Sequence, residues 1–190
     1  MVTVKHKFAD YKIDPSCEIL MIGTFNPACA GNPVEIFYGR SRNYLWTLLP
    51  MVFSEPSLKQ AAAEIKRAFL RFHRIDFVDL IAEINVDREN DYSDRYISNA
   101  ITKAWDIASE IESLRALKAA FFTRKTFSDV PRIRQLAGNA VAQLTKKRVA
   151  IDYLPTPARF INQAKQREWN ETFARAGLIP RLPGDALGRA

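Results

Sequence analysis

Aromatic, amide and cationic side chains are concentrated in one short segment of the chain. Residues 37–46 read Phe-Tyr-Gly-Arg-Ser-Arg-Asn-Tyr-Leu-Trp, at a point where a loop is expected to enter a helix. Aromatic faces can stack on a flat ring, an amide can form hydrogen bonds with the edge of that ring, and arginines can contact phosphates. The segment therefore contains the side chains that a pocket for an extruded nucleic-acid base requires.

Two further segments combine turn-forming residues with polar side chains. Residues 23–27 read Gly-Thr-Phe-Asn-Pro, in which the glycine permits a sharp turn and Pro27 fixes the direction of the exit. Taken alone, this pattern predicts only a turn. Residues 154–159 read Leu-Pro-Thr-Pro-Ala-Arg. The two prolines stiffen this loop, and the N-terminus of the helix that follows it can receive a phosphate.

Short apolar runs predict the strands that position these segments. The runs lie at residues 18–23, 75–81, 119–123 and 148–154. Helical patterns lie between and after them, at residues 43–51, 58–72, 94–107, 110–117, 126–143 and 159–176. This alternation predicts an α/β protein, a three-layer α/β/α fold with a short, mostly parallel central sheet of about four strands. Ligands of such sheets collect where the strands end, which directs attention to the segments that begin at Thr24, Asp79, Thr123 and Pro155.

Length and composition predict one domain. A chain of 190 residues with 47% hydrophobic residues has enough apolar material for a three-layer core. We assign residues 1–179 to this domain. Residues 180–190 contain two prolines and two glycines without periodicity, and we expect them to form a loosely ordered tail.

The charge balance favours a polyanionic partner. Lys and Arg total 28 against 21 Asp and Glu, which gives a net charge of +7. Cys17 and Cys29 are too few for a cysteine metal site, and we interpret both as reduced and structural. His6 and His73 lack the spacing of metal ligands. Neither a Walker phosphate loop nor a Gly-x-Gly-x-x-Gly turn occurs, so we expect no metal and no cofactor.

Membrane insertion has no support in the sequence. No stretch approaches the ~18 continuous apolar residues of a membrane span. Residues 1–11 contain charged side chains and no hydrophobic signal region. We therefore expect a cytoplasmic protein with no membrane partner. We also expect a monomer.

In order along the chain, the segments resemble elements of the uracil-DNA glycosylase superfamily, nearest to its mismatch-specific (G:T/U) and hypoxanthine-DNA glycosylase branches. Those branches show a Gly-Ser/Thr-Phe or Gly-Ile-Asn-Pro turn, a tract like Tyr-Ala-His-Pro-Arg-Asn-x-Phe-Trp, and a late Leu-Pro-Ser-x-Ser-Pro loop. Residues 23–27, 38–46 and 154–159 resemble these three elements. Asp-Leu-Ile at 79–81 resembles a Trp-Asp-Val-Ile element, and Phe-Phe-Thr-Arg-Lys-Thr at 121–126 resembles Phe-Asn-Gly-Lys-Thr.

The resemblance implies roles for individual residues. Asn43 resembles the active-site asparagine of the hypoxanthine branch, and Tyr38 lies where relatives place an aromatic that stacks on the extruded base. Asn26 is the rival, because the mismatch-specific branch carries its catalytic asparagine in the first turn. Phe25 occupies that slot here, and Asn26 follows one residue later, so we favour Asn43.

The remaining candidates follow from the same elements. Asp79, the third catalytic candidate, ends a strand and either binds water or pairs with a nearby arginine. The candidate substrate-binding residues are Gly23, Thr24, Phe25, Tyr38 and Thr123. The candidate DNA-binding residues are Arg40, Arg42, Arg124, Lys125, Thr156 and Arg159.

The chemistry implied is hydrolysis of an N-glycosidic bond in DNA that contains a damaged base. Uracil-like bases leave as stabilised anions, so neither a metal nor a covalent nucleophile is demanded. A carboxamide offers a donor and an acceptor together, which matches the edge of uracil or of an oxopurine. The resemblance places no lysine that would form a Schiff base, so we expect a monofunctional glycosylase. Uracil comes first among the expected substrates, followed by hypoxanthine or xanthine.

Other interpretations remain open. Asn43 has the alternative role of capping the helix that it opens, and Tyr38, Phe37 and Trp46 have the alternative role of core residues. Arg40-Ser41 replaces His-Pro, and the late loop lacks the second Ser-Pro and carries Ala158 where some relatives place a bulky wedge. These departures motivate a second hypothesis, a non-catalytic nucleic-acid-binding relative of the same fold. A third is an enzyme that acts on a free nucleoside or nucleotide.

Overall fold

The computed structural model describes residues 1–87 and 91–178, and this part of the chain contains strands and helices in alternation. In chain order they are β1 (Val2–Lys5), β2 (Ile19–Gly23), α1 (Leu45–Val52), α2 (Ala63–His73), β3 (Ile75–Asp79), β4 (Ile81–Val86), α3 (Asp94–Ile97), β5 (Ile101–Ala104), α4 (Ile107–Ser113), β6 (Ala119–Phe122), α5 (Pro131–Lys146), β7 (Ala150–Tyr153) and α6 (Gln163–Arg175).

The chain forms two compact units, each built from two segments. Unit 1 comprises Met1–Pro33 and Arg74–Tyr153, and unit 2 comprises Val34–His73 and Leu154–Ala190. The assignment of residues 1–179 to one domain stays a prediction. The tail predicted at 180–190 lies outside the described residues.

Unit 1 contains a four-stranded parallel sheet in the order β3-β2-β6-β7. Every residue of β2, β3 and β6 is buried, as expected for parallel strands covered on both faces. Residues from α4 and α5 belong to the same apolar core, and α5 packs against β7. The predicted α/β class, with a four-stranded parallel sheet flanked by helices, is confirmed.

A small antiparallel sheet in the order β1-β4-β5 was not expected from the sequence. The run at 75–81 was predicted as one strand, but β3 ends at Asp79 and β4 begins at Ile81. Leu80 separates them because its N–H donates to Gly23 O while its carbonyl accepts from Trp105 N–H. The helix predicted at 94–107 is also wrong in its second half, where β5 pairs with β4.

Several predicted helices begin at a different residue, and local chemistry explains where. The helix predicted from 126 begins at Pro131, because proline at the first helical position loses no internal hydrogen bond. The helix predicted from 159 begins at Gln163, where the Asn162 side chain accepts from Lys165 N–H at 2.8 Å. The helix predicted at 110–117 begins at Ile107, after Asp106 accepts from Ser109 N–H.

Unit 2 is helical and contains α1, α2 and α6, with α1 packed against α6. Trp46 and Trp169 are almost fully buried. Their indole N–H groups donate to the carbonyls of Phe37 and Pro155 at 2.9 and 3.0 Å, so each ring ties a loop to a helix. Phe37 is buried as well, which agrees with the core role considered for Phe37 and Trp46. None of the helices in the described ranges is both long enough and apolar enough to cross a bilayer.

Candidate functional site

The carboxyl ends of the parallel strands bring one group of candidate residues together in unit 1. Gly23 and Asp79 are register partners at the ends of β2 and β3. Thr123 follows β6, and its N–H donates to Ile22 O at 3.0 Å. Gly23, Asp79 and Thr123 therefore lie at the same edge of the sheet, where parallel sheets bind ligands.

Asp79 is held by a histidine that sequence reasoning missed. His6 follows β1, and its Nε2 lies 2.8 Å from Asp79 Oδ2, with 0% of the His6 side chain and 6% of the Asp79 side chain exposed. Phe8 N–H donates to the other ring nitrogen, Nδ1, at 3.0 Å. Because Nδ1 accepts a hydrogen bond, the proton of the neutral ring lies on Nε2 and is donated to Asp79. Of the two alternatives for Asp79, pairing with an arginine does not occur among the described residues.

The first turn continues from this edge through Thr24, Phe25 and Asn26. Thr24 Oγ1 donates to Asp94 Oδ1 at 2.8 Å, and the Phe25 ring contacts His6 edge-on with 5.8 Å between the ring centroids. Asn26 is buried, and its Oδ1 accepts from Asn32 Nδ2 at 2.6 Å. The Asn26 Nδ2 group makes no hydrogen bond within residues 1–87 and 91–178, so only its donor side is available.

Arg124 is neutralised by carboxylates. Its guanidinium donates to Asp94 Oδ2 at 2.6 Å and to Asp129 Oδ1. Burial acts to lower the pKa of Arg124, but the hydrogen bonds and charges of Asp129 and Asp94 outweigh it and raise that pKa above its ordinary value. The neighbouring candidate, Lys125, is exposed. Arg124 thus has a structural role in this network, and its contact with DNA stays a prediction.

A second group of candidates is brought together in unit 2 by main-chain hydrogen bonds. Asn43 and Ala158 form an isolated antiparallel bridge. Beside it, Tyr44 N–H donates to Pro157 O at 2.8 Å and Arg159 N–H donates to Arg42 O at 3.0 Å. The second and third elements recognised in the sequence are therefore neighbouring loops, although they lie far apart along the chain.

The Asn43 side chain has one engaged atom and one available atom. Its Oδ1 accepts from Leu45 N–H at 2.9 Å and so satisfies an N–H at the start of α1. Asn43 is not the N-cap, however: that position is Tyr44, which makes no side-chain cap hydrogen bond, and Asn43 lies one residue before it. Its Nδ2 makes no hydrogen bond within the described part of the chain, and the residue is only half-buried. Tyr38 is also half-buried and has a φ of 58°, a strained value for a residue with a side chain.

Cations surround this pair of loops. Arg40, Arg42 and Arg159 are exposed, and none of them has an ion pair within the described ranges. Arg159 has a φ of 77°, so the loop turns sharply at that residue. The Thr156 hydroxyl is exposed and accepts weakly from Ala158 N–H at 3.3 Å. A phosphate approaching the loops would thus meet three arginines and one hydroxyl.

Sequence reasoning missed Lys165 and Phe160, which shape the late loop. The buried Lys165 Nζ donates to the carbonyls of Thr156, Ala158 and Phe160 at 3.0, 3.3 and 2.7 Å. Burial and the charge of Arg159 lower the pKa of Lys165. The Phe160 ring is 56% exposed and lies over the Lys165 ammonium, 4.0 Å from Nζ. The sequence could have identified Phe160 as a candidate, because an aromatic residue directly after Arg159 extends the predicted basic loop.

Within residues 1–87 and 91–178, no group of three or more His, Cys, Asp or Glu side chains is placed to hold a metal ion. The two groups of candidates consist instead of amides, hydroxyls, aromatic rings, one carboxylate and cations. Such groups can hold a polar ring edge, orient water and bind phosphates.

Comparison with family models gives no match, and comparison with curated proteins gives none either. Among solved structures, the chain is similar to a solution structure from Methanosarcina acetivorans that is described as a "putative Uracil DNA glycosylase". The match has a TM-score of 0.60 and 20% sequence identity, and it covers 87% of this chain and 94% of the other. This chain therefore shares the fold of that Methanosarcina acetivorans protein.

Proposed function

We propose that the chain is a monofunctional DNA glycosylase that hydrolyses the N-glycosidic bond of deaminated bases, uracil first, with hypoxanthine and xanthine as further substrates. The observation that supports this most is the main-chain bridge between Asn43 and Ala158. It joins a loop with an amide to a loop with a hydroxyl and a cation, in a chain with a uracil-DNA-glycosylase-like fold.

In this proposal Asn43 contacts the polar edge of the base. Its Nδ2 is available to donate to a carbonyl oxygen of uracil or of an oxopurine, while its Oδ1 remains bound to Leu45 N–H. Tyr38 stacks on the base, since an aromatic ring can stack on the flat face of any base and needs no charge to do so. Asn26 is the rival amide, with its own Nδ2 available and its Oδ1 bound by Asn32.

The phosphates on either side of the lesion are assigned to the exposed side chains of the two loops. Arg40, Arg42 and Arg159 neutralise phosphate charge, and Thr156 donates its hydroxyl to a phosphate. Asp79 binds the attacking water, because a carboxylate is an acceptor and orients an O–H donor. The base leaves as an anion, so cleavage requires neither a Schiff base nor a metal.

The experiment is a panel of fluorescent oligonucleotides, each with one uracil, hypoxanthine or xanthine, in single-stranded and duplex form. After incubation with the protein, alkali converts every abasic site into a strand break that a gel resolves. We expect breaks at uracil above all, and none before the alkali treatment. Absence of breaks above the control for every lesion would contradict the proposal.

A second candidate is a nucleic-acid-binding protein that has kept the fold without excision. Two observations favour it: Asn43 Oδ1 is committed to Leu45 N–H, and Arg124 is neutralised by two carboxylates. It predicts salt-sensitive binding to DNA with no release of free base. Chromatography of the supernatant from the same incubations distinguishes the two candidates, because only an enzyme releases the base.

A further inference from the structure

The histidine that contacts Asp79 is held in one orientation and one tautomer. Its Nδ1 accepts from Phe8 N–H at 3.0 Å, and its Nε2 lies 2.8 Å from Asp79 Oδ2. Trp105 packs edge-on against the ring, with 4.9 Å between the centroids. The main chain is fixed too, since His6 N–H donates to Ala82 O at 2.8 Å and His6 bridges to Pro27. The ring can therefore neither turn over nor exchange its donor for its acceptor without loss of a hydrogen bond.

Asp79 has one oxygen engaged and one available. Oδ2 is bound by His6, whereas Oδ1 makes no hydrogen bond to any residue that the structure describes. His6 is fully covered, so the exposed part of the pair belongs to Asp79. Because Asp79 is the register partner of Gly23, this carboxylate lies at the ligand-binding edge of the parallel sheet.

We propose that His6 is a positioning residue for Asp79, and that its Nε2–H holds the carboxylate with Oδ1 directed to the water that attacks the sugar. This inference rests on the proposed glycosylase function. A buried pair of this kind is a weak source of stability, because the desolvation of the carboxylate offsets the attraction. Its value lies in orientation: a second hydrogen bond fixes the rotamer of the group that does the chemistry.

The step that this arrangement assists is hydrolysis. The water donates one hydrogen bond to Asp79 Oδ1 while its oxygen bonds to C1′ of the sugar. The bond between C1′ and the base nitrogen breaks, and its electron pair leaves with the base. The proton of the water passes to Asp79 and from there to solvent, so His6 keeps its proton throughout and acts only through Asp79.

Two substitutions at residue 6 separate the two hydrogen bonds of the ring. His6→Gln places an amide N–H near the position of Nε2 and so preserves the donor to Asp79. His6→Asn places its oxygen near Nδ1 and preserves the acceptor for Phe8 N–H, but it does not reach Asp79. If His6 positions Asp79, kcat for base release falls about 10–100-fold in His6→Asn and stays within about threefold of wild type in His6→Gln, with KM unchanged in both.

The chain offers a matched control in its other histidine. His73 is buried too, and its Nε2 lies 2.6 Å from Glu55 Oε1 in unit 2. His73→Asn also removes a buried histidine–carboxylate contact, so it is expected to lower the melting temperature and leave kcat unchanged. Together with His6→Asn and wild type, Asp79→Asn and the double variant His6→Asn/Asp79→Asn form a double-mutant cycle. Once Asp79 is gone, loss of His6 is expected to have no further effect on kcat.

The outcomes separate the two proposals. Two results with an active wild type would overturn the inference about His6 and leave the proposed glycosylase function intact. One is an equal kcat in His6→Gln and His6→Asn. The other is a kcat that follows the melting temperature in all variants, including His73→Asn. If wild type releases no base from any lesion, both are overturned. Nitrogen-15 NMR of the two histidine rings supplies a readout without turnover: a His6 ring with its proton on Nδ1 would also overturn the inference.

Discussion

Asn43 and Ala158 are bridge partners, so a residue next to the first helix of unit 2 is held by the loop that precedes its last helix. The contact is made by main-chain atoms and therefore survives substitution of either side chain. This allows the side chain of Asn43 to be changed without releasing the loops that surround it.

In the proposed function Asn43 has two separable tasks, and two variants distinguish them. Asn43→Ala removes both the acceptor for Leu45 N–H and the available Nδ2 donor, so it is expected to lower the free energy of unfolding by about 1 kcal/mol and kcat by about 10²–10³-fold. Asn43→Asp keeps an oxygen for Leu45 N–H but lacks the donor. It is expected to keep wild-type stability in urea denaturation and to lose activity like Asn43→Ala; an active Asn43→Asp would transfer the catalytic role to Asn26.

The arginines are expected to divide into two classes. Arg40→Ala and Arg42→Ala remove exposed charges without an ion pair in the described ranges, so each lowers DNA affinity and reduces the slope of log Kd against log salt by about 1. Arg124→Ala leaves Asp94 and Asp129 without their common partner, so it is expected to lower the melting temperature more than it lowers DNA affinity. Fluorescence anisotropy at several salt concentrations, with thermal unfolding of the same samples, checks both. A loss of affinity in Arg124→Ala at unchanged stability would contradict this division.

Lys165 is expected to matter for stability more than an ordinary lysine. Lys165→Met keeps much of the aliphatic stem but removes the donor of the Thr156 and Phe160 carbonyls and one of the two donors of the Ala158 carbonyl. Hydrogen bonds to a charged group contribute about 1.5–3 kcal/mol, so the free energy of unfolding is expected to fall by about that much. Lys12→Met, at an exposed position, is the control and is expected to change it by less than about 0.5 kcal/mol. Equal values for the two variants in urea denaturation would refute the structural role.

The two cysteines are expected to react at different rates. Cys17 is buried, its Sγ donates to Ile19 O at 3.1 Å, and burial together with the charge of Asp76 raises its pKa. A raised pKa leaves less thiolate at any pH below it, and the thiolate is the form that iodoacetamide attacks. Cys29 is only half-buried. Labelling at pH 8 followed by mass spectrometry is expected to modify Cys29 first and Cys17 only on unfolding, with Cys29→Ser as the control.

The parallel sheet could be predicted because its strands are self-evident in the sequence. The strands β2 and β6 are short apolar runs whose burial needs no knowledge of the partner strand. In contrast, β1 has one buried residue, Val4, and forms because it pairs with β4 more than seventy residues later. β5 has a single buried residue as well, so its pattern alone did not exclude a helix. Strands that depend on a distant partner carry little local signal.

The candidate site divides in the same way. Asn43, Thr156 and Arg159 were named from motifs, and their loops are indeed adjacent. His6 was considered only as a metal ligand, because Asp79 lies 73 positions further along the chain and no sequence pattern links the two residues. Lys165 falls within the helix predicted at 159–176 and was given no role of its own, whereas its ammonium turns back to the carbonyls of the preceding loop.

The two-segment composition of unit 2 has a consequence for synthesis on the ribosome. Trp46 and α1 are made early, but α6, with Trp169 and Phe173, is made more than a hundred residues later, after all of unit 1. The side of α1 that packs against α6 therefore has no partner until α6 is synthesised, whereas the sheet of unit 1 can already assemble. A nascent chain of this protein is accordingly expected to need protection by a chaperone at α1 for most of its translation.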